Sequence, residues 1–400
     1  MSSISNLPLN RILVGDARAR LAELPDAAVD SIITSPPYWA LRDYGHDGQL
    51  GAEATVDAWA DEIAALAVEF ARVLTPTGSL WLNLGDSYAR TPNDGAAKKS
   101  LLLAPQRVAL RLTRSGWLLR NQVIWAKTNP MPSSVADRLT TTHEFVYFFT
   151  RAQRYHFDLD AIREPTGPPA PAVKRLRHST YPPREAVPAL GKGITPRIDL
   201  NQGLAAMKAR GRDSHPLGKN PGDVWRLATA NYRGAHFATF PAELVRRPLL
   251  ATTPERVCLE CGAPWMPARE VVNGRELPVG LLTPACGHVT WRPGRVLDPF
   301  MGAGTVAITA EQHRRDWVGI ELNPAYAQQA EQRITAARTE QIAKGGKQWK
   351  SHRRNQKEVN THPPKPTATA PTTPRHKPTS RTRASTPPES DNVIAPSSND

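Results

Sequence analysis

Residues 295–305 read RVLDPFMGAGT, which combines a short apolar strand, an aspartate, a Gly-x-Gly turn and the start of a helix. The next apolar run, WVGIE, ends at Glu321, 19 residues after Gly302. The glycines let the backbone approach a ligand, and an acid at the end of the second strand can accept hydrogen bonds from ribose hydroxyls. This stretch predicts a nucleotide-type ligand site in an α/β fold, with a purely structural turn as the alternative.

The aspartate of this turn, Asp298, bears on the charge of the ligand. The N-terminus of a helix ordinarily favours a phosphate. A carboxylate in the turn would repel a pyrophosphate and attract an ammonium group, because opposite charges stabilise each other. S-adenosylmethionine carries a ribose, an amino group and a sulfonium cation, so we expect it in preference to a nicotinamide dinucleotide.

Short apolar runs close to turn signals recur along the chain and are typical of strands buried on both faces. They are Arg11–Val14, Ser31–Thr34, Ser79–Leu84, Gln122–Ala126, Phe145–Phe149, Arg295–Leu297 and Trp317–Ile320. Helical patterns alternate with them at Asp57–Leu74 and Leu101–Ser115, and Asn323 followed by proline is typical of a helix start. The alternation predicts an α/β fold with a mostly parallel sheet.

Residues 34–39, TSPPYW, follow one of these strands. Pro36 and Pro37 cannot continue a strand ladder, so the chain leaves the sheet at the edge where α/β proteins bind ligands. Ser35 and the Pro36 carbonyl offer acceptors for an exocyclic amine, and Tyr38 and Trp39 offer aromatic faces for a nucleobase. The alternative is a proline-rich turn whose aromatic rings pack into the core.

All three cysteines of the chain fall in one segment, where Cys258-x-x-Cys261 precedes Cys286-x-His288 by 25 residues. Four soft or borderline ligands in two close pairs suit a tetrahedral structural Zn²⁺. Such a closed site has no open position for catalysis, so we expect it to hold an insertion in place. The alternative is three unligated thiols and a surface histidine.

Basic residues are concentrated in two segments of this 400-residue chain, whose formal net charge is +14. Residues 163–235 hold 13 Lys and Arg against 5 Asp and Glu, and residues 341–400 hold 11 against 4. The excess predicts an anionic partner, most simply nucleic acid. The first segment reads as an irregular DNA-contacting insertion, with a mobile linker as the alternative. The second has few large apolar residues and predicts a disordered tail.

No run of about 18 consecutive apolar residues occurs, and the first residues lack the pattern of a signal peptide. Three cysteines in a chain of this length do not make a disulfide framework. We therefore expect a cytoplasmic protein without a membrane partner.

TSPPYW together with DPFMGAGT at 298–305 resembles the amino-group DNA methyltransferases of bacterial and phage restriction–modification systems. Further matching stretches are GSLWLNLGDSY (78–88), WAKTNPMPSSVADRLTTTHEFVYFF (125–149) and HFATFPAELV (236–245). The resemblance covers roughly residues 9–335. The Ser-Pro-Pro-Tyr motif precedes the cofactor turn, as in the permuted β group of the family. Membership implies methyl transfer from S-adenosylmethionine to an exocyclic amine of DNA.

The resemblance implies a circularly permuted Rossmann-like fold with a mixed seven-stranded sheet flanked by helices. Arg11–Val14 would be the third strand of the family fold, the next four runs strands four to seven, and the last two runs strands one and two. The implied domains are a catalytic half (1–160), a target-recognition insertion (161–235), a cofactor-binding half (236–340) with a zinc-knuckle insertion (255–290), and a disordered basic tail (341–400).

Site residues also follow from the resemblance. Asp16 would contact the cofactor adenine, Asp298 its methionine part and Glu321 its ribose. The expected cofactor residues are Asp16, Phe237, Phe240, Asp298, Phe300, Gly302, Gly304, Thr305, Glu321 and Asn323. The expected catalytic residues are Ser35, Pro36, Pro37 and Tyr38, and the expected DNA contacts are Trp39, Lys174, Arg175, Arg177, Arg210 and Arg212.

The base amine is a poor nucleophile because its lone pair is delocalised into the ring. Acceptors at Ser35 Oγ and the Pro36 carbonyl would favour a pyramidal nitrogen aimed at the sulfonium methyl. The base would be flipped out of the duplex and stacked on Tyr38. His143 and Glu144 could be read as an acid–base pair, but neighbouring strand residues point to opposite faces, so a structural role is favoured for His143.

Serine in this motif favours N4 of cytosine, with N6 of adenine as the alternative, because adenine-specific relatives more often carry Asp or Asn there. Methylation of cytosine C5 needs a cysteine nucleophile, and the cysteines here have another use. The sequence also leaves open a catalytically silent zinc-containing DNA-binding protein and an RNA or small-molecule methyltransferase. The expected partner is double-stranded DNA in the nucleoid, and a cognate restriction endonuclease is compatible with the resemblance. The oligomeric state is left open.

Overall fold

An eight-stranded sheet organises the computed structural model, which describes residues 7–41, 49–165, 215–230, 240–272 and 275–345. Its strands are β1 (Arg11–Val14), β2 (Val29–Thr34), β3 (Leu74–Leu84), β4 (Leu118–Lys127), β5 (His143–Thr150), β6 (Val224–Leu227), β11 (Arg295–Asp298) and β12 (Asp316–Glu321). Two smaller antiparallel pairs contain β7 (Arg256–Cys258) with β10 (Trp291–Pro293), and β8 (Trp265–Val272) with β9 (Arg275–Pro284).

The strand order is β1-β12-β11-β2-β3-β5-β4-β6. All pairs are parallel except those of β5, which runs antiparallel to both β3 and β4. In the numbering of the family fold the first seven strands read 3-2-1-4-5-7-6. The two strands nearest the C-terminal end of the sequence therefore sit inside the sheet, between β1 and β2. This confirms the circularly permuted Rossmann-like fold and all seven apolar runs.

The sheet has one strand more than expected, because β6 pairs in parallel with the edge strand β4. Trp225 of β6 is buried and its ring stacks 6.2 Å from that of Trp81. The burial of this indole stabilises the pairing of β6 with the edge strand. This strand lies within the segment that the sequence assigns to the target-recognition insertion, so the end of that segment belongs to the sheet.

Helices cover both faces of the sheet, as the doubly buried strands predict. They are α1 (Ala17–Ala22), α2 (Val56–Val73), α3 (Ala104–Arg114), α4 (Ala242–Thr252), α5 (Thr305–Gln312) and α6 (Pro324–Gly345). One core cluster contains Trp59 and Phe70 of α2 with Val108 of α3, and the other contains Leu244 of α4 with Val306 of α5.

Helix ends follow local chemistry. Thr55 accepts a hydrogen bond from Ala58 N at 3.1 Å and begins α2 one residue before the predicted start. Asn323 accepts from Ala325 N at 2.9 Å and begins α6. Because α6 continues to Gly345, the first residues of the predicted tail (341–345) are helical. No helix among the described residues is long and apolar enough to cross a membrane.

Several predictions fall outside the described residues and are not tested by the structure. They concern the cofactor residue Phe237, the tail beyond 345, and the DNA contacts Lys174, Arg175, Arg177, Arg210 and Arg212.

Candidate active site

A cavity of about 690 Å³ opens where β2, β11 and β12 end. The two motifs that carry the prediction meet there although they are far apart in sequence. The predicted residues that line it are Asp16, Ser35, Pro36, Pro37, Tyr38, Phe240, Phe300, Gly302, Thr305, Glu321 and Asn323. The position of the cavity at the carboxyl ends of parallel strands is the one that open α/β sheets use for ligands.

Glu321 occupies the anion-binding position of the glycine-rich turn. Its Oε2 accepts from Gly302 N at 2.8 Å, and its Oε1 accepts from Asn323 N at 3.0 Å. A carboxylate is thus already bound to the turn N–H that a phosphate would use. Each carboxylate oxygen has a further lone pair, so Glu321 retains the capacity to accept from a ligand hydroxyl.

Asp298 is a buried carboxylate whose two oxygens differ. Its Oδ1 accepts from Thr34 Oγ1 at 2.7 Å and from Phe300 N at 3.1 Å, whereas Oδ2 has no hydrogen-bond partner within the described residues. Burial raises the pKa of Asp298 to about 7, against the lowering effect of these two hydrogen bonds, and the charge of Glu321 raises it further. Asp298 is not a lining residue, but residues 299–303 are. A buried anion without a cationic partner fits a ligand that brings an ammonium group.

Asp16 lies on the wall of this end of the cavity. Its Oδ1 accepts from Arg18 N at 2.9 Å and Ala19 N at 3.2 Å, so the side chain caps α1. Gly15 N donates to the Glu321 carbonyl at 2.9 Å and ties the ends of β1 and β12 together. These bonds hold Asp16 close to Glu321, where its side chain can accept a hydrogen bond from a ligand.

Gly304 has a packing role rather than a place on the cavity wall. Its φ is +76°, and a Cβ there would lie 3.3 Å from Ala330 and Ile334 of α6. Any larger residue would meet both the left-handed backbone and the neighbouring helix. The structure therefore brings Gly302 to the cavity but not Gly304.

The other end of the cavity is built from polar side chains on neighbouring strands. Ser35 Oγ lies 3.1 Å from Tyr38 OH and 3.2 Å from the Asn83 carbonyl, and its single hydrogen can be donated to either of them. Tyr38 OH donates to Glu144 Oε2 at 2.7 Å. Glu144 Oε1 accepts from Lys127 Nζ at 2.5 Å. Residues of β3, β4 and β5 thus hold the predicted catalytic turn, residues 35–38, which follows β2.

Asn83 is the hub of this polar cluster and is buried. Its Nδ2 lies 2.8 Å from Tyr38 OH, 2.9 Å from Glu144 Oε2 and 3.3 Å from Ser35 Oγ. Its Oδ1 has no hydrogen-bond partner in the described part of the chain. A neutral buried acceptor next to Ser35 suits a neutral N–H donor such as an exocyclic amine.

Sequence reasoning missed Asn83 and Lys127 as site residues, and it raised Glu144 only as half of an acid–base pair with His143. The signal was present, because all three lie in stretches that match the family, 78–88 and 125–149. The alternation of side chains along β5 places His143 and Glu144 on opposite faces, as expected. Glu144 lines the cavity, whereas the His143 ring packs edge-on against that of Phe145, with 5.1 Å between ring centroids. What sequence could not give was which of these polar residues converge, because they belong to three strands.

Trp39 does not present a face to a partner, and its prediction as a DNA contact is wrong for this structure. The residue is 6% exposed and belongs to the hydrophobic core. Its indole N–H donates to the Glu53 carbonyl at 2.9 Å. A large indole gains more by complete burial with its single donor satisfied than by lying at the surface. The alternative of a core aromatic therefore holds for Trp39, whereas Tyr38 packs against the core and also lines the cavity.

The predicted catalytic turn is anchored on its outer side as well. Trp59 Nε1 of α2 donates to the Pro37 carbonyl at 3.0 Å. A Cβ at Gly85 would come within 2.6 Å of Tyr38 Cε2, so only glycine leaves room for the tyrosine ring in this position. The ring is thus held by close packing, and its hydroxyl by the polar cluster.

The segment after β6 forms a further wall of the cavity. Thr229 and Ala230 line it, and Thr229 N donates to Asn129 Oδ1 at 2.7 Å. Trp125 Nε1 donates to the Leu227 carbonyl at 3.0 Å. The end of the predicted recognition insertion is therefore fastened to the strand that carries Lys127.

The predicted metal ligands converge although the sequence separates them into two pairs. The donor atoms of Cys258, Cys261, Cys286 and His288 all lie within 4.8 Å of one another. His288 presents Nδ1 to Cys258 Sγ at 3.5 Å and Nε2 to Glu260 Oε2 at 3.5 Å. A carboxylate on the distal ring nitrogen is the usual support of a metal-bound histidine. The donor set and its spread fit a tetrahedral soft-metal site.

Comparison with known proteins gives concordant results. The family described as DNA methylase, of the N6 and N4 methyltransferase type, matches residues 29–332. The type II methyltransferase M.Cfr9I of Citrobacter freundii is 32% identical to this chain, over 82% of it and 88% of the relative. The type II methyltransferase M.SmaI of Serratia marcescens is 31% identical, over 84% of this chain and 94% of the relative.

Solved structures resemble the fold at lower identity. The PvuII DNA methyltransferase, described as cytosine-N4-specific, is 17% identical, covers 84% of this chain and 92% of its own, and gives a TM-score of 0.48.

Proposed function

This chain belongs to the DNA methylase family of N6 and N4 methyltransferases, and we propose that it methylates N4 of cytosine in duplex DNA with S-adenosylmethionine as donor. One observation carries the proposal. A single cavity has an unpartnered buried carboxylate oxygen behind one end and a neutral acceptor cluster around Ser35 at the other. The first suits a cationic cofactor, and the second suits an uncharged amine.

The cofactor end is proposed to hold S-adenosylmethionine through three carboxylates. Asp298 would pair with its ammonium group, Glu321 would accept from its ribose hydroxyls, and Asp16 would accept from its adenine amine. When bound there, S-adenosylmethionine supplies an electrophilic methyl group on a sulfonium. Phe300 and Phe240, which line the cavity, would exclude water from this end.

The catalytic end is proposed to bind a flipped cytosine. Tyr38 would stack on the base, while Ser35 Oγ and the Pro36 carbonyl would accept from the two hydrogens of its amine. These acceptors localise the nitrogen lone pair and hold it in line with the methyl group, so that catalysis is mainly positioning and charge complementarity. The serine in place of an acidic or amide residue supports cytosine over adenine.

The test is mass spectrometry of nucleosides from duplex DNA of diverse sequence, incubated with the protein and methyl-labelled S-adenosylmethionine. We expect labelled N4-methylcytosine. Labelled N6-methyladenine would overturn the choice of base but not the reaction. No labelled nucleoside, with cofactor binding confirmed by calorimetry, would contradict the proposed activity and favour a silent DNA-binding protein.

Ser35→Ala separates the catalytic end from the cofactor end. We expect turnover to fall about 100-fold, as is typical when a group that polarises or orients the reacting atom is lost. Affinity for S-adenosylmethionine, measured by calorimetry, should change less than about threefold, since Ser35 belongs to the other end. Equal losses in both would contradict the proposed role of Ser35.

A structural Zn²⁺ is proposed at Cys258, Cys261, Cys286 and His288. Cys261→Ser should lower metal content, measured by plasma mass spectrometry, together with the thermal midpoint, because a bound structural metal stabilises the folded state. Leu259→Ser is the matched control, since Leu259 lies in the same knuckle, is exposed and offers no ligand. Metal-free parent protein of undiminished thermal midpoint would refute the zinc site.

DNA recognition is proposed for the basic segment 161–235, between a catalytic half (1–160) and a cofactor-binding half (236–340). The proposal rests on the charge of Lys174, Arg175, Arg177, Arg210 and Arg212. A methyltransferase of this type protects a site from cleavage, so a restriction endonuclease of the same sequence specificity is the partner that this function implies.

A further inference from the structure

We propose that Glu144 is the end of a hydrogen-bond chain that makes Ser35 an acceptor toward the target amine and removes the proton that this amine loses. The inference rests on the proposed amine methylation, and it adds a residue that the motif of the catalytic turn does not contain. Glu144 acts through Tyr38 and Ser35, so it is a positioning residue and proton acceptor at a distance from the reacting atoms.

The chain is continuous in the structure. Ser35 Oγ lies 3.1 Å from Tyr38 OH, and Tyr38 OH lies 2.7 Å from Glu144 Oε2. Both distances are within hydrogen-bond range. The Glu144 side chain is only 14% exposed, so bulk water competes little with the tyrosine for its carboxylate.

The direction of the chain follows from the chemistry of its last member. A carboxylate can only accept, so the single hydrogen of Tyr38 points to Glu144. The tyrosine oxygen can then accept from Ser35, and Asn83 Nδ2 lies 2.8 Å from the tyrosine oxygen and 3.3 Å from Ser35 Oγ. The hydroxyl hydrogen of Ser35 therefore turns away from the cavity, toward Tyr38 or the Asn83 carbonyl. A lone pair of Ser35 Oγ is left to accept from the hydrogen of an incoming amine.

Lys127 keeps Glu144 in place for this role. Its Nζ is 2.5 Å from Glu144 Oε1, and its own side chain is 22% exposed. The ion pair fixes the position of the carboxylate beside the lysine. The pair uses one oxygen for the lysine and leaves the other for Tyr38 and Asn83.

No other carboxylate on the cavity wall is placed for this task. Within the described residues, Asp16, Glu144 and Glu321 are the acidic lining residues. Asp16 is bonded to the start of α1, and Glu321 to Gly302 and Asn323, all at the cofactor end. Asn83, the nearest polar neighbour of Ser35 on β3, is an amide and cannot take up a proton at neutral pH.

The proposed step balances in atoms and electrons. The lone pair of the base nitrogen forms a bond to the methyl carbon, and the carbon–sulfur bond breaks with its electron pair staying on sulfur. The nitrogen then carries one proton too many. That proton passes to Ser35 Oγ as the serine hydrogen passes to Tyr38 OH and the tyrosine hydrogen passes to Glu144. The products are the methylated neutral amine and a protonated Glu144, which returns its proton to solvent.

The test is a double-mutant cycle on single-turnover methyl transfer, with Glu144→Gln, Tyr38→Phe and the double variant. Glutamine keeps the size of the side chain but has no proton-accepting carboxylate, and phenylalanine keeps the stacking ring but interrupts the chain. We expect each single variant to lose about 100-fold in rate, as is typical for a lost proton-transfer group. The double variant should lose no more than either single one, because both act in one chain.

Cofactor affinity provides the second readout. Calorimetry with S-adenosylmethionine should give dissociation constants within about threefold of the parent for all three variants, so that the loss is in rate and not in binding. Glu144→Asp, which keeps a carboxylate, should recover part of the lost rate. Asp61→Asn, which removes an exposed carboxylate on α2, is the matched control and should match the parent.

Three results would overturn the proposal: a rate for Glu144→Gln within threefold of the parent, a double variant whose loss is the product of the single losses, or a parallel loss of cofactor affinity. Tyr38→Phe tests the chain even if Glu144→Gln fails to fold, since it leaves the lysine pair intact. A parent protein that methylates no base would instead contradict the proposed function on which this inference rests.

Discussion

The two ends of the cavity are stabilised in different ways. At the cofactor end each carboxylate accepts from a backbone N–H two or three residues further along the chain: Asp298 from Phe300, Glu321 from Asn323, and Asp16 from Arg18 and Ala19. Asp298 also accepts from Thr34 Oγ1 on a neighbouring strand. At the base end, the polar cluster around Ser35, most bonds join side chains that lie 45 to 106 residues apart, such as Asn83 to Tyr38 and Tyr38 to Glu144. The first end is built mainly on local turns, and the second is assembled mainly by the sheet.

The ends also differ in what they lack. Each contains one buried acceptor without a partner among the described residues, Asp298 Oδ2 and Asn83 Oδ1. An unpaired buried charge costs far more than an unpaired neutral amide oxygen. Binding of a cation therefore stabilises the cofactor end strongly, whereas the base end is largely preorganised before substrate enters. Binding energy should come mainly from the first end and rate acceleration from the second.

Asp298→Asn should produce the largest effect. The amide oxygen can still accept from Thr34 and Phe300, but the variant leaves the ammonium of S-adenosylmethionine without its anion. Breaking a buried ion pair costs about 4 kcal/mol, which corresponds to roughly 1,000-fold in affinity. Calorimetric titration with S-adenosylmethionine measures this loss, and an affinity within tenfold of the parent would contradict the proposed role of Asp298.

The same variant should change how the stability of the unliganded protein depends on pH. The pKa of Asp298 is raised to about 7 in the folded protein, so its contribution is fully present below the ordinary carboxyl pKa and is lost as pH rises through about 7. We expect the parent, relative to Asp298→Asn, to lose stability between about pH 4 and 8 by on the order of 3 kcal/mol. Denaturant unfolding of both proteins at pH 5 and pH 8 gives this difference, and saturating S-adenosylmethionine should remove it from the parent.

Sequence could predict the cofactor end of the cavity because the residues there belong to one local pattern. Asp298, Gly302, Glu321 and Asn323 belong to a strand–turn–helix pattern whose geometry is local, so residue types and spacing suffice. The seven strand runs were accessible too, since buried strands read as apolar runs, and their order in the sheet followed from the resemblance to the family. The eighth strand was not, because four residues in a proline- and glycine-rich segment carry no strong pattern of their own.

The base end shows the limit of the same reasoning. Asn83, Lys127 and Glu144 become neighbours only because β3, β5 and β4 are adjacent, and that adjacency depends on one antiparallel strand placed between two others. For Trp39 the sequence erred in the opposite way, because it predicted a contact residue where the structure has a buried one. An aromatic residue next to such a turn looks the same in sequence whether it faces a ligand or the core. Here the bond of the Trp39 indole to the Glu53 carbonyl accompanies its burial in the core.

Asn83→Ala should affect rate and not cofactor binding, which sharpens the contrast between the ends. The variant removes the amide that bonds to Ser35, Tyr38 and Glu144, and leaves a small cavity in their place. We expect single-turnover methyl transfer to fall about 30-fold, in the range that hydrogen bonds to charged and reacting groups contribute. Affinity for S-adenosylmethionine should stay within about twofold. A loss of cofactor affinity as large as the loss of rate would show that the two ends are coupled.

Gly85→Ala should give the smallest effect, and it tests whether the base end depends on the ring of Tyr38 or only on its hydroxyl. The added Cβ would come within 2.6 Å of Tyr38 Cε2, so the ring must shift while no polar group is removed. A displacement of this size misaligns a stacked base, and we expect about a tenfold loss of rate. Fluorescence of 2-aminopurine at the target position should report weaker stacking of the flipped base. Unchanged rate and fluorescence would mean that Tyr38 matters through its hydrogen bonds to Asn83 and Glu144 alone, which would make the hydroxyl chain the dominant element of this end.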